Sequence, residues 1–275
     1  MKQSRISIIT LTYNNLKKAT KPFLEYLYSG EADFELIIVD NGSTDGTVEF
    51  LKDFEQSHNN VKVIYNSENL GFAKGCNQGI KLAQGEVIGL LNNDILFSSD
   101  WIKYPVEVLE KEQKAGFVSL SSVEAYAYSK RSFDGLTKKE IVELSYFPCV
   151  TPFFSCVFTQ KRLFYKIGYF DEKFAPAYFE DDDISWRAIF AGYKNFKIDN
   201  VYFYHFGSVT GKNLNNLSEI FERNKKYFFM KYANNYFVEC YWRLNSEAVS
   251  YKMKILKKRK RNIFYRLGLR KLKFN

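Results

Sequence analysis

The stretch Val87–Phe97, VIGLLNNDILF, decides how the rest of the chain is read. Val87 to Leu91 is a short unbroken apolar run, the pattern of a fully buried strand. It stops at Asn92-Asn93-Asp94, and apolar residues resume at once with Ile95, Leu96 and Phe97. Three oxygen-rich side chains at the end of a buried strand are costly unless something uses them. Turn chemistry is one use, since Asn and Asp favour turns and caps for local reasons. A hard divalent cation is another, because Mg2+ and Mn2+ prefer oxygen ligands. In an open α/β sheet, the carboxyl ends of the strands are also where ligands bind.

The same pattern recurs on the N-terminal side of this stretch. Ile6–Leu11 is an apolar run that ends in Thr12-Tyr13-Asn14, and Leu36–Val39 ends in Asp40-Asn41-Gly42-Ser43-Thr44-Asp45. Val61–Tyr65 is followed by Asn69-Leu70-Gly71-Phe72-Ala73. Between these strands, Leu16–Tyr28, Val48–Phe54 and Lys74–Ala83 have helical spacing, with Pro22 as a local irregularity. Strands alternating with helices predict a mostly parallel sheet. One edge of that sheet would collect Asn14, Asp40, Asp45, Asn69 and Asp94, the geometry of a nucleotide crevice. Neither GxGxxG nor a Walker loop is present, so phosphates are expected to be held by a metal and side chains.

On the C-terminal side the spacing predicts a helix over Trp101–Lys114. Residues 117–160 are mixed, with strand-like pieces at Phe117–Leu120 and Cys149–Phe158. Helices are predicted at Lys161–Ile167 and Ile184–Ala191. A strand at Asn195–Tyr204 delivers His205, and an aromatic helical region follows over Leu217–Tyr251.

Glu180-Asp181-Asp182-Asp183 places four acids just before the Ile184–Ala191 helix. Acids there complement the helix dipole. Four adjacent carboxylates also repel one another, which raises the pKa of at least one, and such a carboxylate can serve as a general base. His205 ends a strand, as Asp94 follows one, and is followed by Gly207-Ser208. A lone histidine is either structural or a ligand.

The composition bounds the partners. Of 275 residues, 46% are hydrophobic, which supports a sizeable core, and 20 Tyr and 26 Phe favour aromatic packing or an aromatic-lined cleft. No apolar run approaches the ~20 residues of a membrane span. The N-terminal MKQSRISIITLTY enters a strand pattern directly, without a signal peptide's apolar stretch. Cys76, Cys149, Cys156 and Cys240 form no CxxC pair, so a reduced cytoplasmic setting is expected. The net charge of +9 is concentrated at one end: Lys252–Asn275 carries eleven Lys or Arg and no acid, leaving 29 basic and 31 acidic residues elsewhere.

The motifs IITLTYNN, IIVDNGSTDGT, NLGFAKGCNQGI, LLNND, FEDDDISWR and HFGS occur in the order seen in inverting family 2 glycosyltransferases. Over about residues 5–210 the chain resembles that family, and most of all its bacterial rhamnosyltransferase-like polysaccharide-assembly members. The resemblance implies an α/β GT-A fold, a Rossmann-like nucleotide-binding mixed sheet flanked by helices, with a C-terminal helical extension. It would be divided into a catalytic domain at 1–215 and an aromatic helical segment with a basic tail at 216–275.

The implied activity is transfer of a sugar from a UDP- or dTDP-sugar to a glycan or lipid-linked acceptor, with inversion and with Mg2+ or Mn2+. Thr12, Tyr13 and Asn14 would line the nucleobase pocket. Asp40 would accept from the pyrimidine N–H, with Ser43 beside it, and Asn69 and Phe72 would close over base and ribose. Asn93 and Asp94 match the family's DxD-like element, Asp94 as metal ligand and Asn93 toward the ribose or metal shell. Many members carry an acid where this chain has Asn92 or Asn93. Asp181, in the family's ED motif, would be the base, with Glu180, Asp182 and Asp183 as supporting acids. His205 would be a further metal ligand or diphosphate contact.

Two other readings compete. A sugar-phosphate nucleotidyltransferase would carry a glycine- and arginine-rich loop after the first strand, where this chain has LTYNNLKK. A nucleic-acid-binding protein could use the basic tail, but the body has no basic excess and no such motif. No nucleic acid is therefore expected as a partner. Apolar residues such as Ile263, Phe264 and Leu267 interleave with the tail's charges. That pattern predicts a peripheral protein that rests on the inner face of an anionic membrane through Lys252–Asn275.

Overall fold

The computed structural model of the chain describes residues 6–29, 33–98, 100–124, 141, 143–206, 216–233 and 235–241. The chain divides into two units, Met1–Lys225 and Lys226–Asn275. The basic tail and Gly207-Ser208 lie outside the described residues.

The first unit is built on one mixed sheet. Strands β1 (Ile6–Thr12), β2 (Glu35–Asp40), β3 (Val61–Tyr65) and β4 (Val87–Asn92) run parallel in the order β3-β2-β1-β4. Their connections are helical: a π turn at Leu16–Thr20 leading into α1 (Lys21–Leu27), then α2 (Thr47–Ser57) and α3 (Gly71–Leu82). Every residue of β2 is buried, as a continuous apolar run in a parallel sheet requires. Gly89 serves this packing. A Cβ there would sit 2.7 Å from Ile8 Cδ1 and 2.8 Å from Phe158 Cε1.

The second half departs from the parallel pattern. After β5 (Ile95–Phe97) and α4 (Lys103–Lys111), the sheet continues with β6 (Ala115–Glu124), β7 (Tyr146–Cys149), β8 (Cys156–Gln160) and β9 (Lys194–His205). β8 is antiparallel to both β4 and β6, while β6 and β9 are parallel. The outer edge of β9 is shared by β7, against Asn195–Ile198, and β5, against Phe203–His205. Helices α5 (Arg162–Ile167) and α6 (Glu180–Phe190) follow β8, and α7 (Leu217–Lys231) follows β9. One core cluster packs Phe158, Phe196 and Phe203 with Ile8, Leu36 and Ile38; the other packs Phe117, Phe164 and Phe170 with Ile9, Ile37 and Ile184. Burying each such side chain is worth about 1.5–3 kcal/mol.

Several expected boundaries move. The helix predicted at Trp101–Lys114 is confined to Lys103–Lys111, because the chain turns at Gln113-Lys114 to enter β6. The strand-like Cys149–Phe158 is two strands with a loop at 150–155 between them. The acids do not precede the α6 helix but form its first turn. The helical run expected over Leu217–Tyr251 breaks after Lys231. Within the second unit a new helical piece starts near Tyr236, where the Asn235 side chain accepts from Val238 N at 3.3 Å.

Candidate active site

The crevice starts where β1 and β2 end side by side. Asp40 is fully buried, and its Oδ2 accepts from Ser43 N at 2.9 Å. Ser43 Oγ accepts from Asn14 N at 2.7 Å, and Asn14 Oδ1 accepts from Thr44 N at 2.8 Å. Asn14 and Asn15 hold left-handed backbone conformations, which Asn tolerates better than most residues. These bonds lock the two strand ends together. They leave Asp40 Oδ1 buried and without a partner among the described residues. A buried carboxylate oxygen with an open valence calls for a donor. Tyr13 lies half-buried beside this lock.

Thr12 and Thr20 place their hydroxyl oxygens 2.6 Å apart, and Asn93 Nδ2 donates to Thr20 Oγ1 at 3.1 Å. Thr20 thus ties the end of β1 to the Asn92–Asp94 turn. No sequence signal marks it, because its Asn93 partner lies 73 residues away along the chain.

Asp94 and His205 are brought together by the β5–β9 ladder, in which Ile95 pairs with His205. Asp94 Oδ1 lies 3.2 Å from His205 Nε2, and Asp94 O accepts from Phe206 N at 3.0 Å. Cis ligands of an octahedral ion with bonds of about 2.1 Å lie about 3 Å apart. A carboxylate oxygen and an imidazole nitrogen at this separation, both largely buried, fit two adjacent positions around Mg2+ or Mn2+. Among the described residues no group of three or more His, Cys, Asp or Glu is placed to hold a metal. The remaining ligands would come from substrate and water.

The four acids divide by environment. Asp183 is fully buried and accepts from Arg187 Nε at 2.9 Å, while the Arg187 guanidinium also donates to the carbonyls of Ile167 and Tyr169. Glu180 is buried with Oε2 unpartnered among the described residues. Burial, reinforced by the charges of Asp181 and Asp182, pushes it well above the usual carboxylate range. Burial also raises Asp181, whose Oδ1 accepts from Asp182 N at 2.9 Å. Asp182 is pushed up to about 7 by burial and the neighbouring Asp181 charge, against a 2.9 Å hydrogen bond from Thr151 Oγ1.

The 150–155 loop spans the two halves of the site. Thr151 binds Asp182 on the acid helix. Ser155 binds the Asn92 turn twice, through Asn92 N to Ser155 O at 3.0 Å and Asn92 Nδ2 to Ser155 Oγ at 3.3 Å.

Asparagines hold the rest. Asn77 makes a two-way clamp on Phe170, and Asn224 Nδ2 donates to the carbonyls of Phe174 and Ala177 just before the acid helix. The same lead-in meets the Asn69–Phe72 loop. Phe72 N donates to Pro176 O at 2.9 Å, Asn69 Oδ1 accepts from Gly71 N, and the Phe72 ring packs edge-on against Phe170. Gly71 has a positive φ, and a Cβ there would lie 2.8 Å from Pro176 Cα.

Comparison with known proteins identifies the family and the fold. The model of a family described as glycosyl transferase family 2 matches residues 7–168. The uncharacterized glycosyltransferase YfnE of Bacillus subtilis is 28% identical over 145 residues, covering 51% of this chain and 36% of YfnE. The chain spans about a third to two fifths of the length of the curated relatives it matches. The mannosyltransferase PcManGT from Pyrobaculum calidifontis, solved with GDP-Man and Mn2+, superposes with a TM-score of 0.60 at 18% identity, covering 76% of this chain and 59% of that one. S. aureus TarS 1-349 in complex with UDP-GlcNAc superposes with a TM-score of 0.60 at 16% identity, covering 84% and 67%. The sheet and its flanking helices have the GT-A fold of these enzymes.

Proposed function

Because the chain belongs to glycosyl transferase family 2, we propose that it transfers a sugar from a nucleotide-diphosphate donor to a hydroxyl of a glycan or lipid-linked acceptor. The observation that carries this reading is the Asp94–His205 pair at 3.2 Å, linked to the acid helix through the 150–155 loop.

In this reading Asp40 Oδ1 accepts from the pyrimidine N–H of a uracil or thymine base. Thr12, Tyr13, Asn14, Ser43, Asn69 and Phe72 shape the base and ribose pocket. Asn93, anchored by Thr20, sits at the ribose side. Asp94 and His205 hold Mg2+ or Mn2+. When bound, the ion neutralises charge developing on the leaving diphosphate. Asp181 takes the proton of the acceptor hydroxyl as that oxygen attacks the anomeric carbon from the face opposite the diphosphate. A single displacement of this kind inverts the configuration. Asp182 and Glu180 support Asp181 from the same helix turn, and Asp183 fixes the helix through Arg187. Burial holds Asp181 above the usual carboxylate range, and a raised pKa suits a carboxylate that serves as a base.

Among the described residues no helix is long and apolar enough to cross a membrane. We propose that Lys252–Asn275 docks the catalytic unit on the anionic inner face of a membrane, where lipid-linked acceptors reside. The transfer reading is tested by a screen of UDP-, dTDP- and GDP-sugars with Mn2+ that detects released nucleoside diphosphate. Acceptor-dependent release from at least one donor supports it, and no release from any donor under any acceptor mixture counts against it.

A further inference from the structure

The rim of the candidate site carries a feature that the reaction scheme does not use. Phe153 sits at the middle of the 150–155 loop, between Thr151 on Asp182 and Ser155 on Asn92. It is 42% exposed, an unusual state for a phenylalanine in a loop tied down on both sides. Its ring meets Phe203 edge-on at 6.3 Å, and Phe203 lies 6.5 Å from the His205 ring. Lys197, on β9, places Nζ 4.7 Å from the Phe153 centroid and 5.9 Å from that of Phe147, which is equally exposed on the adjoining β7 strand. Among the described residues no carboxylate lies within ion-pair distance of Lys197.

Two exposed phenylalanine rings with an ammonium against them have a defined chemistry. The rings offer flat apolar surface for the C–H face of a sugar. They also hold the ammonium in place by cation–π attraction and lower the polarity around it, which strengthens its pull on an anion. We propose that Phe153, Phe147 and Lys197 form an acceptor subsite for a sugar ring that carries or adjoins an anionic group, a phosphate or a carboxylate. This rests on the transfer reading for its role, since the loop delivers whatever binds there to Asp182 and the Asn92 turn. A neutral glycan would use the rings and gain nothing from the ammonium's charge.

The test uses direct binding by the full chain of three probes: cellobiose, cellobiouronic acid and cellobiose 1-phosphate, titrated at low salt by ligand-observed NMR. Both anionic probes are expected to bind at least about fivefold more tightly than cellobiose, the scale of one partly desolvated cation contact. Lys197→Gln should erase that preference and Lys197→Arg should keep it. Phe153→Ala should weaken all three probes. UDP titrated in parallel should bind every variant like wild type. A stronger preference for phosphate points to a lipid diphosphate, and one for carboxylate to an acidic glycan. Equal binding of the three probes, a preference that survives in Lys197→Gln, or absence of binding by all three overturns the subsite. If the probes behave as expected while no nucleoside diphosphate binds wild type, the transfer reading fails and the subsite stands.

Discussion

Asp94 Oδ1 and His205 Nε2 lie 3.2 Å apart because the short β5 strand pairs antiparallel with the end of β9. Neither residue is near the other in the chain, so the pair is a product of the topology. If it holds a divalent ion, Asp94→Asn and His205→Ala should each lower turnover by roughly 10²-fold or more, several kcal/mol of lost charge stabilisation. Chelation of wild type should do at least as much. Thermal unfolding of the variants, followed by circular dichroism, should stay close to wild type. Full turnover in excess EDTA would rule the ion out.

The acid helix predicts a separation of stability from chemistry. Asp183→Ala removes the carboxylate from the partly buried Arg187 guanidinium, leaving it only carbonyl partners, and should destabilise the fold by about 3 kcal/mol, read as a drop in urea midpoint. Asp181→Asn should change stability little, yet cost about 10²–10⁴ in rate with donor binding retained. If Asp181→Asn turned over like wild type while Asp182→Asn did not, the base would be misassigned.

The pH dependence of stability follows from Asp182. Its pKa rises from 3.8 to about 7 on folding, so between those values the folded state binds more protons than the unfolded one. The stabilisation it gives is therefore complete below about pH 4 and is lost as pH rises through about 7. Asp182→Asn should flatten that part of the stability profile in denaturant titrations run from pH 4 to 8. An unchanged slope would mean that the carboxyl is not held above its ordinary range.

Gly71 should be intolerant of a side chain. Gly71→Ala puts a methyl against Pro176 backbone at 2.8 Å in a left-handed conformation, so the Asn69–Phe72 loop and the acid-helix lead-in must separate. A loss of about 1–3 kcal/mol and a raised KM for donor are expected. Wild-type stability and KM would show that this contact is not maintained.

The ends of the parallel strands can be read from residue order because β1, β2 and β4 are mostly apolar runs that stop at polar residues, and Asp40 and Asp94 sit at those stops. The second half is harder for a physical reason. β6 buries Ser119 and Ser121 inside the sheet, so its apolar pattern is diluted, while the aromatic run at 153–158 hides the loop that separates β7 from β8. The asparagine clamps at Asn77, Asn195 and Asn224 leave no local trace, since each binds backbone distant in sequence. The acids read as preceding the helix although they form its first turn, because a helix start tolerates Glu and Asp and nothing local distinguishes a residue before the helix from one within it.

The central claim is that Asp94 and His205 hold a divalent ion that in turn holds the donor's diphosphate. Titration calorimetry of UDP, dTDP and GDP into the full chain tests it most directly, with Mn2+ and with EDTA, on wild type and Asp94→Asn. At least one nucleoside diphosphate should bind wild type at least tenfold more tightly with Mn2+ than with EDTA, about 1.4 kcal/mol, and Asp94→Asn should lose that gain. Equal affinity with Mn2+ and EDTA, or an undiminished Mn2+ effect in Asp94→Asn, would contradict the account.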